Sequence, residues 1–512
     1  MRRQYGNTQS TALEPAESPL SVSGARLIKN TSVLMVSQLF TWGLTLLLTL
    51  FLPRYLGPSS MGLLAITISF WSLLQVFIGF GMDTHVVKQI ARDPEQAYTL
   101  LGTTCLARVL LYLLCLLPVS IGLWVMQMPL SQIIVVQLVG VSFLINALAS
   151  GTQSILQGLE IMEYISISNI ASRAVNSLLG IGVLLAGFGL FAIAIVLVVA
   201  ALVLLLANLF FLKRHRPLRL SFEGTEVLPM LRSSLPYMAT ALVMVGYAQL
   251  NILIIGLLMS STEAGWYGAA MQLFTTLLFL PVAFGTALLP QMTRFHRSDE
   301  QALAGMLRKS VQLVLLVGVP IGLGLVAVAG SVVELIFGSE YGPSSSVLQV
   351  LGVTLIFMYL NVLIGQFFTA TDRQNVWTVT IAVSVVLMAG MTVLLVTLCQ
   401  QYLGNGALGG AFSLLCSEAT MALIGVVLLR GKLLSRALIW NVARILIAGG
   451  VMLAAVWFLR DAMLLLPIVT GMLVYPSMVL LLRILPREDF VVLQTFMGSI
   501  VGRLHQPQLR RP

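Results

Sequence analysis

Three ionisable side chains stand alone inside long apolar runs: Arg108 in "TTCLARVLLYLLCLL", Arg173 in "ISNIASRAVNSLLGI" and Glu418 in "GAFSLLCSEATMALIGVVLL". A fourth, Arg54, lies between two such runs in "FLPRYLGPSSMGLLAI" (51–66). Only 9% of the chain is charged. A charge at the centre of a bilayer costs roughly 2.5–3.5 kcal/mol, so such a residue faces a cavity, a partner or a headgroup. The planar arginine fork suits phosphate. Arg108 and Arg173 sit about two turns inside their runs, close enough to the end for snorkelling to headgroups to be the competing explanation. Glu418, near the middle of its run, cannot reach out. It is either a hydrogen-bonded or protonated carboxyl used for packing, or a site for a coupling cation or proton.

Uncharged polar residues add stripes. Gln38, Thr41, Thr45 and Thr49 recur at helical spacing on one face, and Ser69, Ser72, Gly79 and Asp83 form a similar face in the next run. Thr240, Tyr247 and Asn251 follow in a later run, then Gln272, Thr275 or Thr276, Ala283 and Thr286. A single such stripe is ordinary interhelical packing. Four of them at repeat-related places predict a hydrophilic cleft. At its mouths stand Arg54 on one side and Lys29 and Arg26 on the other. A cationic path beside hydroxyls and amides suits a sugar attached to a lipid diphosphate.

These residues need helices to hold them. The chain of 512 residues is 58% hydrophobic, above the roughly 45–50% of soluble domains. Apolar stretches of about 20 residues recur and do not alternate as barrel strands would. The expected fold is an all-α polytopic membrane protein of about fourteen spans: 27–52, 60–82, 99–125, 131–150, 165–186, 189–212, 235–258, 265–290, 310–330, 347–370, 375–400, 407–429, 437–458 and 463–484. Of 29 Lys+Arg, Arg54 and Arg460 fall on one side and Arg108 and Arg173 within spans, leaving 25 on the other side. The positive-inside rule then makes both termini cytoplasmic. The net charge of +10 is thus explained by topology, not by nucleic acid. The four cysteines lack metal-ligand spacing, and neither a metal nor another cofactor is indicated.

The stretch "YLGPSSMGLLAI" (55–66) recurs loosely as "LMSSTEAGWYGAA" (258–270), setting Gly62 opposite Gly265. "SILQGLEIMEYISISNI" (154–170) resembles "GQFFTATDRQNVWTVTI" (365–381). Two parallel six-helix pseudo-repeats follow, with a substrate site expected between them. The domain reading is a disordered cytoplasmic tail (1–25), an N-lobe (26–220), a C-lobe (221–430), a two-helix hairpin (431–485) and a cytoplasmic tail (486–512). Apolar residues at helical spacing in 487–504 suit an interfacial helix, the alternative being a solvated one.

The segments "RLIKNTSVLMVSQLF", "LPRYLGPSSMGLLAI" and "GFGMDTHVVKQIARD" resemble the start of the polysaccharide transporter family, the O-antigen and exopolysaccharide flippases of the MOP superfamily. "LIFGSEYGPSSSVLQVLG" (335–352) and "AGWYGAAMQLFTTLLFLPVAFGTALLPQMTRF" are similar to later segments of the family. The resemblance covers roughly residues 25–430. It implies two six-helix lobes, alternating access, and export of undecaprenyl-diphosphate-linked glycan across a bacterial inner membrane, beside polysaccharide polymerase machinery. Arg54 matches the arginine of the family's "RYLG" turn. Asn251 stands where related patterns often carry an acidic residue, which leaves Glu418 for ion coupling.

No covalent catalysis is required, so the chain is expected not to be an enzyme. One rival is a drug or cation extruder of the same superfamily, which would want acidic cavity residues; the first half supplies chiefly Asp83. Another is a glycan polymerase or ligase, which would need a sizeable outer loop that the sequence does not provide.

Overall fold

The computed structural model describes residues 19–125, 127–215, 227–460 and 463–484, with side chains described from Gly43 onward except that of His215. The terminal tails beyond these bounds, including the 487–504 stretch, lie outside the described residues, as do the side chains of Arg26, Lys29, Gln38 and Thr41.

The first element, α1 (Pro19–Gly79), holds two spans. It starts earlier than the sequence suggests and turns over at Gly57, whose φ of 73° is one that a side chain disfavours. Ser177 donates to the Leu44 carbonyl and Leu48 packs on Gly180, so the arm before Gly57 runs alongside α5 (Met162–Leu185) in the same direction. After Gly57, Trp71 packs on Gly140 and, beyond the end of α1, Ile90 packs on Gly158, so the returning arm and the helix that continues it follow α4 (Leu130–Gly158). The returning arm ends at Phe80 and Gly81, both at positive φ, and continues as the short α2 (Met82–Arg92). Asp83, expected on the second span, therefore opens a separate helix.

α3 (Ala97–Val125) and α6 (Leu190–His215) complete the first half. The turn at Gly187 (φ 79°) divides α5 from α6, at the expected "AGFG" break. The second half contains α7 (Val227–Leu258), α8 (Ser261–Leu277), α9 (Phe279–Ser298), α10 (Glu300–Phe337), α11 (Gly342–Ala370), α12 (Gln374–Leu403) and α13 (Gly406–Leu428). A four-residue helix, α14 (Arg430–Leu433), leads to α15 (Arg436–Trp457) and α16 (Leu465–Leu481).

Twelve helices among the described residues are long and apolar enough to cross a membrane. The first of these carries the two arms of α1, and α16, at 17 residues, sits at the lower limit for a span. Counting both, the structure accommodates the expected fourteen passes. The span expected over 265–290 lies within one membrane-spanning segment, Ser261–Ser298, which is interrupted at Leu278 between α8 and α9. Pro281 has no N–H to give the Leu277 carbonyl four residues earlier. The Tyr359 hydroxyl of α11 donates to that carbonyl instead, at 2.7 Å.

The repeat is visible in the turns. Three residues separate α4 from α5 and three separate α11 from α12, with Glu160 (φ 61°) and Asp372 (φ 55°) at the middle of each. Asp93 and Asp299 likewise cap the helical segments that follow α2 and α9, through backbone N–H groups. We call the face bearing these turns the inner face, and that bearing Gly57 the outer face.

Candidate functional site

The halves meet along a seam between α1–α2 and α7–α8. At its outer end Gly62 and Gly265 pack reciprocally: a Cβ on Gly62 would fall into the Ser261 carbonyl, and one on Gly265 into that of Pro58. Ser59 and Ser261 approach at 3.2 Å. Arg54 is exposed, and its Nη1 donates to the Leu335 carbonyl at 3.3 Å, near the C-terminal end of α10 where carbonyls carry partial negative charge. Tyr341 donates to the Pro53 carbonyl at 2.9 Å. The outward arginine is thus part of a contact that joins the first half's turn to the second half.

Midway, Ser69 donates to Gln249 Oε1 at 2.8 Å. At the inner end, Lys88 donates to Tyr237 Oη at 2.8 Å, and His85 Nδ1 lies 3.1 Å from Ser233 Oγ. The seam is therefore made at both faces. Sequence reasoning missed these inner contacts because a single Lys or His at a helix end carries no periodic signal.

Arg108 of α3 is fully buried. Its Nη2 lies 2.6 Å from Asp83 Oδ1, and its Nη1 donates to the Ala147 carbonyl. Ser150 and Ser154, one turn apart on α4, donate to the two Asp83 oxygens at 2.7 and 2.8 Å. Gly151 lies between these serines, and a Cβ there would stand 2.7 Å from Arg108 Nη1. The guanidinium fits because that side chain is missing. Arg108 is thus an internal partner of Asp83 in this state. The pair ties α2 to α3 and α4, and so to the first half. The spacing of Ser150 and Ser154 was available in the sequence, but without a known acidic partner it read as packing.

Arg173 is exposed on α5, one turn before Ser177, which bonds to Leu44. It therefore lies on the flank facing the outgoing arm of α1. Thr49 is buried against its own helix through the Thr45 carbonyl, and Ser72 bonds to Ile68 in the same manner. Thr45 is exposed. Gln272 is half-buried with its Oε1 unpartnered.

In the second half, Asn251 is buried in a neutral knot. It donates to Tyr267 Oη (3.2 Å) and the Gly410 carbonyl (3.3 Å), and accepts from Thr392 (2.5 Å) and Ser413 (3.3 Å). Glu418, also buried, accepts from Tyr247 on one oxygen and from Asn361 Nδ2 on the other, at 2.7 Å. The stripe residues Tyr247 and Asn251 thus serve two adjacent buried clusters. Among the described residues no group of three His, Cys, Asp or Glu is placed to hold a metal ion. A groove of about 420 Å³ between α10, α15 and α16 has a nearly all-apolar lining, including Pro320, Met452 and Pro476. It offers a polar head group little to bind.

The sequence profile of the family described as "Polysaccharide biosynthesis protein" matches residues 51–346, more than half of the chain. The chain belongs to this family. It is similar to the succinoglycan biosynthesis transport protein ExoT of Rhizobium meliloti, 23% identical over 65% of this chain and 67% of that one. It is also similar to the probable low-salt glycan biosynthesis flippase Agl15 of Haloferax volcanii, 23% identical over 29% of this chain; that match spans only 32% of the relative. Among solved structures, the lipid II flippase MurJ in an inward closed conformation superposes with a TM-score of 0.70, at 14% identity, over 88% of this chain and 98% of that one. An inward-facing multidrug resistance MATE family transporter of the MOP superfamily has a TM-score of 0.62, at 15% identity, over 77% and 94%. The all-α polytopic fold is that of MOP-type transporters.

Proposed function

We propose that this chain flips lipid-diphosphate-linked oligosaccharide repeat units from the cytoplasmic to the outer leaflet for polysaccharide biosynthesis. The observation that carries the reading is membership of the polysaccharide biosynthesis family over residues 51–346, on a fold shared with a lipid II flippase. The intramembrane charge of the first half supports it: Arg108 and Arg173 outnumber the one carboxylate, Asp83. The setting is a bacterial inner membrane with both termini in the cytoplasm, as the basic loops favour. The relatives' names supply the substrate class, a glycan, and the arginines supply the affinity for phosphate.

Arg173, exposed where Arg108 is buried, meets the diphosphate before it does. Arg108 joins only when the substrate phosphate replaces Asp83 as its partner. The exposed Thr45 lends a hydroxyl to the glycan path. Opening then separates α2 from α7 at Lys88–Tyr237 and His85–Ser233, and closing restores those contacts while the outer set at Arg54, Ser59 and Tyr341 parts. An inside-negative potential assists outward transfer, at about 2.3 kcal/mol per elementary charge per 100 mV. A proton or cation at Glu418 resets the carrier. Polysaccharide polymerase machinery takes up the product.

An extruder of drug cations fits less well. It needs carboxylates free to take a cation, whereas Asp83 is already paired with Arg108 and Glu418 is enclosed by Tyr247 and Asn361. The test is complementation of a flippase-null strain with Arg173→Ala, paired with proteoliposome transport of a fluorescent lipid-diphosphate oligosaccharide. Loss of surface glycan and of flipping is expected. Wild-type protein that moves drug cations but not the lipid-linked glycan would overturn the reading.

A further inference from the structure

At the inner face of the second half a cavity of about 310 Å³ is lined by His296, Thr371, Arg373 and Lys432, together with Phe367, Leu428, Leu429 and Gly431. The cationic and imidazole groups come from three separate elements: the end of α9, the α11–α12 turn and α14. No carboxylate lines the cavity among the described residues. We propose that this cavity is a phosphate-binding site, distinct from the seam between the halves.

Its construction points to an anion. Arg373 is exposed and occupies the N-cap of the 30-residue helix α12, which has no side-chain cap, so the positive helix end faces the same region. Its guanidinium is set over the Phe368 ring at 5.6 Å, which fixes the side chain without neutralising it. Lys432 gives one donor to Glu300 at 2.7 Å and packs over Phe367 at 5.7 Å. An ammonium has three donors, so Lys432 retains two. His296 closes the cavity from α9.

Nor is the cluster a by-product of the repeat. Counting back from the shared aspartate caps, His296 corresponds to Ile90; counting across the shared turns, Arg373 corresponds to Ile161. In the first half Ile90 is buried against Gly158, and that corner is apolar. His296 and Arg373 therefore have apolar counterparts in the first half. A basic pocket between helix ends at this level suits the phosphate of an anionic lipid headgroup or a free phosphate in solution.

The experiment measures binding, so its outcome is independent of whether the chain flips glycan. Full-length protein is reconstituted with phosphatidylglycerol or phosphatidylcholine, and retained lipid is counted by native mass spectrometry. In parallel, inorganic phosphate is titrated against the detergent-solubilised protein. Arg373→Gln and Lys432→Gln are compared with Arg297→Gln, which removes a neighbouring charge outside the cavity, and all variants are checked for monodispersity. A preference for phosphatidylglycerol that falls about tenfold in both cavity variants and persists in Arg297→Gln supports the site with a lipid source; tenfold is about 1.4 kcal/mol. The same pattern with inorganic phosphate alone supports a soluble source. His296→Gln, which keeps the side chain's size near constant, is expected to weaken either form. Equal binding in wild type and both cavity variants, an equal loss in Arg297→Gln, or no binding of either probe overturns the proposal.

Discussion

Gly62 and Gly265, aligned as repeat partners in the sequence, pack against each other's backbone at the outer end of the seam. Equivalent residues meeting reciprocally is what a pseudo-two-fold axis between the halves requires. Substituting either by alanine pushes a Cβ into a carbonyl, an overpacking of about 1–3 kcal/mol. Gly62→Ala and Gly265→Ala are therefore expected to open the outer seam and raise thiol labelling of a cysteine placed at Ser59. Labelling unchanged from the parent would show that the contact does not hold the seam.

Ser59 and Ser261 offer the reverse test, since their hydroxyls lie 3.2 Å apart. The pair Ser59→Cys and Ser261→Cys should form a disulfide that stops transport, with recovery on reduction. Transport that continues while the bridge is intact would exclude parting of the halves at this point.

The buried Arg108 depends on Asp83 for its neutralisation. Asp83→Asn leaves the guanidinium unpaired, and breaking such a pair costs about 3–5 kcal/mol. The lower end applies, because the Asp83 side chain is 43% exposed and partly solvated. Asp83→Asn should lower the midpoint of thermal unfolding more than Arg108→Met, which removes the buried charge altogether. The opposite order would mean that Asp83, not Arg108, bears the desolvation penalty.

Much of the architecture was legible because lipid demands continuous apolar helices with their backbone satisfied internally. The division of α5 from α6 and the Gly62–Gly265 correspondence both follow from local sequence. The break at Leu278 did not, although Pro281 is plain in the chain. Proline is tolerated within other spans here, at Pro118 and Pro236. What distinguishes Pro281 is Tyr359, about eighty residues on, which accommodates the freed carbonyl. The reach of the candidate site residues was equally hidden. Arg108 reads as a free cation until the fold brings Asp83, Ser150 and Ser154 to it, and those partners lie on two other helices.

Tyr359→Phe isolates that accommodation. The Leu277 carbonyl would lose the partner that Tyr359 supplies, at a cost of about 1–3 kcal/mol if it is left unsatisfied. A lower unfolding midpoint is expected, with the break between α8 and α9 unchanged because Pro281 still cannot donate. Pro281→Ala should act oppositely, since the substituted residue supplies the missing N–H and straightens the helix. If Tyr359→Phe leaves the midpoint unmoved, the hydroxyl bond contributes nothing to holding the broken helix.

Glu418 supplies the last test. Both of its oxygens are taken by donors from other helices, Tyr247 of α7 and Asn361 of α11. A carboxyl held in this way couples α7 and α11 to α13, and each oxygen keeps a lone pair at which a proton or cation could compete with these donors. Glu418→Gln preserves size but replaces one acceptor oxygen with an amide that donates. It is expected to abolish any dependence of transport on a proton or sodium gradient, and Tyr247→Phe to weaken that dependence in part. Gradient-driven transport at wild-type rate in Glu418→Gln proteoliposomes would reduce Glu418 to a packing residue and place ion coupling elsewhere in the chain.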